Sequence, residues 1–309
     1  MPNLQRLADY RYDERSSKQT SEGEDLLIKT LRLKVPQWQG GNNPTYSLGA
    51  DLLSFIIPKN LEQEEILVPV PEYEIPLVKE NGVTAQSIVA GIVDKTSTLI
   101  QEEAPDKIIT MGGDCLVSQA PFDYLHGQYG EELGIIWIDA HPDISTPDIF
   151  YNEHAMVLGN LLKDGDPALA SKVQHPFSPQ DVLYVGLQEP TADEKNILER
   201  LGIDYRVQDQ VRLTPEEIKS WLNAHQFTKV AVHFDLDVLD PKEFRSLYFA
   251  EPGVTEFGAV AGKMSLQEVK ETMQAIAEQS EVVGLTIAEL LPWDVQNLKN
   301  LLNEFDIFR

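Results

Sequence analysis

Six short runs, Leu52–Ile57, Lys107–Met111, Gly134–Ile138, Val182–Val185, Val230–Phe234 and Val282–Ile287, recur along the chain with longer, helix-patterned segments between them. Runs rich in Ile, Val and Leu and bounded by Gly, Pro or charge suit strands buried on both faces, because neither face can then be polar. Alternation of such strands with helices predicts a mostly parallel central sheet covered on both sides, an α/β/α sandwich of three layers. Helix starts are marked separately: Thr191 with Glu194, Thr214 with Pro215 and Glu217, and Ser265 with Glu268 each read as a capping box. After the last of these, Leu266, Val269, Met273, Ile276 and Ala277 recur at helical spacing as a core-facing stripe.

The chain has 309 residues, enough for two average domains or one large one. It contains no internal repeat and no Gly/Ser/Pro linker, so residues 26–309 are expected to form a single domain, with residues 1–25 as an N-terminal extension. The stretch Trp38–Tyr46, rich in Gly, Asn and Pro, reads as a loop over one end of the sheet. A C-terminal helix carrying Leu298, Leu301 and Leu302, followed by Phe305, Ile307 and Phe308, would pack on its own core or on a neighbouring subunit.

Fifty acidic against 25 basic residues give a formal charge of −25, which repels phosphate backbones and anionic membranes. Nucleic acid and membrane partners are therefore not expected. Every apolar stretch is cut by charge, Gly or Pro well before the roughly 18 residues that a membrane helix needs. Cys115 is the sole cysteine, and the polar segment Arg11–Asp25 lacks the apolar core of a signal peptide, so a cytoplasmic location is expected.

The chemistry-bearing residues follow the expected strands, where loops leaving the carboxyl ends of a parallel sheet converge on one crevice. Met111-Gly112-Gly113-Asp114-Cys115 supplies a tight glycine turn. Asp139-Ala140-His141-Pro142-Asp143 and His233-Phe234-Asp235-Leu236-Asp237 each space their polar side chains at period two, which on an extended backbone turns them to one side. An isolated Asp-x-Asp is usually a cap or a turn. Two such clusters at adjacent strand ends, without a basic residue beside them, would repel one another if dry, and a divalent cation is the natural compensation. Mixed carboxylate and imidazole ligands suit Mn²⁺ or a similar ion. Asp240, preceding Pro241, reads as a turn residue.

Met111-Gly112-Gly113-Asp114, Asp139-Ala140-His141-Pro142-Asp143, His154-Ala155-Met156, Phe234-Asp235-Leu236-Asp237-Val238-Leu239-Asp240-Pro241 and Thr286-Ile287-Ala288-Glu289-Leu290 with Pro292 together resemble, in order, the signature blocks of the arginase/agmatinase/formiminoglutamase (ureohydrolase) family. The resemblance implies a sandwich holding two Mn²⁺ ions per subunit with a bridging hydroxide, which hydrolyses a non-peptide C–N bond of a small guanidino or amidino compound. By position, Asp139 and Asp235 would bridge both ions, Asp143 would serve the first, and His141 and Asp237 the second. His154 would match the family's proton shuttle and Glu289 the carboxylate that receives the cationic group, with Asn152 beside the substrate. A trimer or hexamer is also implied.

The sequence departs from the family's pattern in two places. Where the common block continues with His, this chain has Cys115: the thiolate ligates, the metal preference changes, or the first ion is weak or absent. His233, where a small hydroxyl residue is common, would lend a replacement imidazole or lie outside the ligand set. The loop between Asp143 and His154 is shorter than in arginases and carries Ile149, Phe150 and Tyr151, and Thr191 stands where an acid would receive an amino-acid ammonium group. Arginine is thus not the expected substrate. Two alternatives stay open: a single-metal amidohydrolase of the deacetylase kind, using Asp139, His141 and Asp237, and a non-catalytic relative that binds a metabolite or a protein.

Overall fold

A computed structural model describes residues 28–71, 76–209 and 211–303. The extension expected over residues 1–25, and Phe305, Ile307 and Phe308, lie outside the described residues. The strands are β1 (Thr30–Val35), β2 (Glu64–Leu67), β3 (Lys79–Glu80), β4 (Val83–Thr84), β5 (Lys107–Gly112), β6 (Leu133–Ile138), β7 (Val182–Val185), β8 (Lys229–Asp235) and β9 (Glu281–Ala288). Seven form one sheet in the order β2-β1-β5-β9-β8-β6-β7, while β3 and β4 make a separate antiparallel pair. Every neighbouring pair in the large sheet is parallel.

Parallel strands need crossovers, and helices supply them on both faces: α1 (Thr45–Ile56), α2 (Gln86–Glu103), α3 (Gln119–Tyr129), α4 (Val157–Leu161), α5 (Pro167–Ala170), α6 (Ala192–Leu201), α7 (Pro215–His225), α8 (Leu266–Gln279) and α9 (Trp293–Asn303). Alternation along β6 divides the core in two. Leu133, Ile135 and Trp137 pack with α2, α3, α4 and α6 through Ile92, Phe122, Leu158 and Leu198. Ile136 and Ile138 face the other way, onto α1, α7 and α8 through Leu53, Leu222 and Ile276. The expected three-layer sandwich is thus present. The boxes at Thr191, Thr214 and Ser265 cap α6, α7 and α8 reciprocally, satisfying backbone donors that the first helical turn leaves free.

Five of the six expected central strands are found, Val182–Val185 with its expected bounds and the other four longer by one residue at one or both ends. The sixth is not a strand, because Leu52–Ile57 falls on the end of α1. Tyr46, Gly49, Ala50 and Leu53 bury one helical stripe there, and Phe55 and Ile56 point outward, so the run is one side of an amphipathic helix. Instead β1 occupies the sheet, its Leu31, Leu33 and Val35 alternating with Arg32 and Lys34. Arg32 is tolerated because its guanidinium donates to Pro58 O at 2.7 Å and Gln63 Oε1 at 2.8 Å. On α8, Leu266 and Ala277 face solvent rather than the core, where Val269, Thr272 and Ile276 make the contact. Val295, Leu298 and Leu301 of α9 are about half exposed. Among the described residues, no helix is long and apolar enough to cross a membrane.

The sheet order sets β5, β9, β8 and β6 side by side, so their carboxyl ends form one continuous edge. Between β5 and the loop after β1 the backbones almost touch: a Cβ on Gly113 would sit 1.7 Å from Gln37 O. Gly113→Ala is expected to cost about 3 kcal/mol, the upper end of ordinary overpacking, since main chain rather than a side chain would have to yield. Gly91, at an exposed position of α2 where an added Cβ meets nothing within 4 Å, is the control, and Gly91→Ala should stabilise by about 1 kcal/mol. Urea unfolding of both variants tests the contrast.

Candidate metal centre

Each of the four adjacent strands delivers acids or a thiol at its carboxyl end. β5 runs through the glycine turn into a short 3-10 turn, Cys115–Ser118, capped by the Asp114 side chain. The Asp114 carboxylate accepts from Gln37 Nε2 at 2.8 Å and Gly41 N at 3.1 Å, which fastens the Trp38–Tyr46 loop over this end of the sheet. β6 ends in Asp139, whose Oδ1 accepts from His141 N at 2.6 Å. β8 ends in Asp235, whose Oδ1 accepts from Asp237 N at 2.7 Å and opens another 3-10 turn. β9 leads into Glu289.

The residues named from spacing meet at this edge, though spacing alone does not bring them there. His233 and Asp235 do share an extended strand, but His141, Asp143 and Asp237 reach the site through turns. Asp143 itself has a left-handed backbone, φ +50°, as does Glu289, φ +65°. Such conformations cost non-glycine residues energy and often occur where a side chain must be aimed.

Cys115, Asp139, Asp143, Asp235, Asp237 and Glu289 are all at least 93% buried. Only His141 and His154 show appreciable side-chain exposure, 27% and 21%. One potential ligand atom each of Cys115, Asp139, Asp143 and His233 lie within 4.8 Å of one another, and so do those of Asp139, His141 and Asp237. Asp139 belongs to both groups. Asp235 lies between them, its Oδ2 2.7 Å from Cys115 Sγ. His141 Nδ1 lies 3.0 Å from Asp237 Oδ2. His141 Nε2, Asp143 Oδ2, His233 Nε2 and Asp237 Oδ1 are buried without a hydrogen-bond partner. Native proteins rarely leave such atoms bare, and carboxylates, imidazole and thiol are all metal ligands, so the donor set fits a pair of divalent cations.

Electrostatics points the same way. Burial, then Asp237, pushes Asp139 up to about 7. Burial, then neighbouring carboxylates, raises Asp143, Asp235 and the Cys115 thiol well above their ordinary values. Burial alone would lower His141, but the charges of Asp237 and Asp139 and the hydrogen bonds to them outweigh it and raise the ring well above its ordinary value. His154 behaves alike: burial lowers it, and its contact with Glu289 raises it further.

Glu289 is fully engaged. Tyr46 Oη donates to its Oε2 at 2.7 Å, and His154 Nδ1 sits 2.8 Å from Oε1. Asn152 lies apart from the ligand groups, its Nδ2 3.5 Å from Gly41 O. Thr191 is an exposed helix cap. Asp240 accepts from Lys242 N in a turn, as expected. Sequence reasoning missed Tyr46, Trp137, whose Nε1 donates to Asp139 Oδ2 at 3.1 Å, and Ser118, 2.8 Å from His233 Nδ1. Tyr46 and Ser118 reach their partners from distant elements, whereas Trp137 stands two residues from Asp139 within an apolar strand run; no local motif marks any of them.

Residues 64–299 match the Arginase family. The arginase of Coccidioides immitis is 26% identical over 239 residues, covering 72% of this chain and 70% of that protein. Arginase-1 of Homo sapiens is 35% identical over 179 residues, 54% of this chain and 53% of its own length. Among solved structures, the arginase of Entamoeba histolytica in complex with L-ornithine superposes with a TM-score of 0.73 at 21% identity, over 85% of this chain and 91% of that one.

Without metal, the folded protein binds more protons at these acids than the unfolded chain does, so its stability should fall as pH rises. Burial pushes Asp139 up to about 7 and Glu153 up to about 9, so the loss runs from the ordinary carboxylate range near pH 4 up to about pH 9. His233, which burial lowers to about 3, has the opposite dependence, but only below an unfolded value of about 6.5. Thermal unfolding of metal-stripped protein should therefore show a lower midpoint at pH 8.5 than at 6.5. A divalent ion at about 100 times its Kd should restore about 2.7 kcal/mol per site. A flat profile would mean that the acids are already compensated within the protein.

Proposed function

Because the chain belongs to the arginase family, we propose that it is a metal-dependent hydrolase that cleaves a non-peptide C–N bond of a small guanidino or amidino compound other than arginine. The observation that carries this reading is the meeting of Cys115, Asp139, His141, Asp143, Asp235 and Asp237 at one buried edge, with bare ligand atoms on His141, Asp143 and Asp237. Asp139 and Asp235 would bridge two ions, Asp143 and Cys115 would hold the first, and His141 and Asp237 the second. Mn²⁺ is the ion expected at the second, carboxylate-rich position. When bound, such a pair polarises the reacting carbon and lowers the pKa of a shared water.

The other side chains bind, orient and move protons. Glu289 is the receptor for the cationic end of the substrate, whose planar, multiply donating group can take the oxygens now held by His154 and Tyr46. Its left-handed backbone fixes the aim of the carboxylate. With His154 Nδ1 donating to Glu289, Nε2 is the atom left to give a proton to the departing nitrogen. Phe150, whose ring centre is 6.3 Å from that of His154, and Phe249, 6.0 Å from His141, stand beside the two histidines. Thr191 carries no charge for an α-ammonium group, and the short loop sets the Phe150 ring beside His154. Both features favour a substrate whose non-reacting end is not an amino acid, with Asn152 beside it.

The same reading includes a single domain over residues 26–309, a cytoplasmic location and a homo-oligomer, for which the exposed Val295, Leu298 and Leu301 of α9 are a suitable contact surface. The direct test is release of urea, ammonia or formamide by metal-loaded protein across a panel of guanidino and amidino compounds. At least one should be turned over and arginine slowly or not at all; no release from any compound would sink the proposal. His154→Asn should lower kcat about 100-fold or more with metal content unchanged. Glu289→Gln should weaken cationic substrates by about 2–5 kcal/mol, because a buried charge pair is broken.

A further inference from the structure

The histidine absent from position 115 has a structural counterpart on β8, two strands along the sheet from β5. His233 is wholly buried, and its ring stacks on Trp137 with centroids 3.8 Å apart and planes 11° from parallel. Ser118 Oγ lies 2.8 Å from Nδ1. Nε2 has no hydrogen-bond partner and points into the group made by Cys115, Asp139 and Asp143, 3.7 Å from Asp139 Oδ2. A buried imidazole held at one nitrogen and bare at the other, within 4.8 Å of a thiol and two carboxylate oxygens, has the arrangement of a metal ligand with its outer support in place.

We infer that the first metal position of this protein is a Cys115–His233–Asp139–Asp143 site that selects a Zn²⁺-class ion over Mn²⁺, so that the pair is of mixed metals. The inference rests on the two-ion reading above and adds the identity and ligands of one ion. Thiolate and imidazole favour Zn²⁺ and Co²⁺, whereas the second position, with His141, Asp237 and the shared Asp139 and Asp235, keeps the harder character that suits Mn²⁺. Ser118 is a positioning residue: Nδ1–H donates to its Oγ, which leaves the Nε2 lone pair for the ion. Binding releases the Cys115 proton to solvent and leaves a thiolate on the metal. Nothing is oxidised or reduced.

Co²⁺ is the probe, because a thiolate ligand gives it a near-ultraviolet charge-transfer band that oxygen and nitrogen ligands do not. The metal-stripped full chain is titrated with Co²⁺ while the band and the metal content per subunit are followed, and is separately offered equimolar Zn²⁺ and Mn²⁺. The wild type should bind two Co²⁺ with the band, and one Zn²⁺ with one Mn²⁺. Cys115→Ser should lose the band and keep the second ion. His233→Ala should keep one ion per subunit and lose the band. Since His233 lies in the core, Ser118→Ala is the milder companion, expected to weaken the first position about 10–100-fold and leave the second unchanged. Cys115→His should turn the first position toward Mn²⁺. Two Co²⁺ bound without the band, or a band of full affinity in Ser118→Ala and His233→Ala, overturns this inference while the two-ion reading stands. No bound ion at either position overturns both.

Discussion

Asp139, Asp143, Asp235, Asp237 and Glu289 are held almost out of water within reach of one another, joined by the thiol of Cys115. Burial raises the cost of each charge, and each charge raises the cost of the next. Neither term is relieved by a lysine or arginine among the contacts that define the cluster; His141 and His154 are the partners that face it. The parallel sheet makes this crowding possible, because four neighbouring strands end at the same level and their loops have nowhere else to go. Protons satisfy the arrangement partly, metal ions more fully.

Much of this was legible in the order of the residues. The runs in β5, β6, β7, β8 and β9 are apolar because both faces of the sheet are covered, and that pattern is local. The outer strands were not legible for the same reason reversed. β1 carries Arg32 and Lys34, and β2 presents Glu64 and Glu65 at the edge, so neither resembles a buried strand until the contacts of Arg32 with Pro58 and Gln63 are known. Leu52–Ile57 misled because a short apolar run does not state its own period. The stripe beginning at Tyr46 does, and it lies mostly upstream of the run.

At the site, identity was easier to read than geometry. Aspartates at period two identified the cluster, yet the side chains converge through Asx turns and left-handed residues that no spacing rule anticipates. Cys115 stood out as a departure from the family's pattern, and His233 as a histidine in an unusual place. Only the structure shows that a ligand atom of each lies within 4.8 Å of the other. Tyr46 and Ser118 come from segments 243 and 115 residues away from the groups they hold, and separation of that kind leaves no trace in a single sequence.

Glu289 owes its direction to main chain. Its φ of +65° and the hydrogen bond from its N–H to Gly113 O, 2.7 Å, tie the end of β9 to the turn after β5. The vector along which a side chain leaves position 289 is thus decided before the side chain is chosen. An exchange there would alter what is received without rebuilding the loop that presents it. The backbone also limits that exchange, since β-branched and bulky residues fit poorly at positive φ. With Glu289 in its proposed role as receptor, selectivity would therefore drift through a small alphabet of unbranched residues while the frame around it stays where it is.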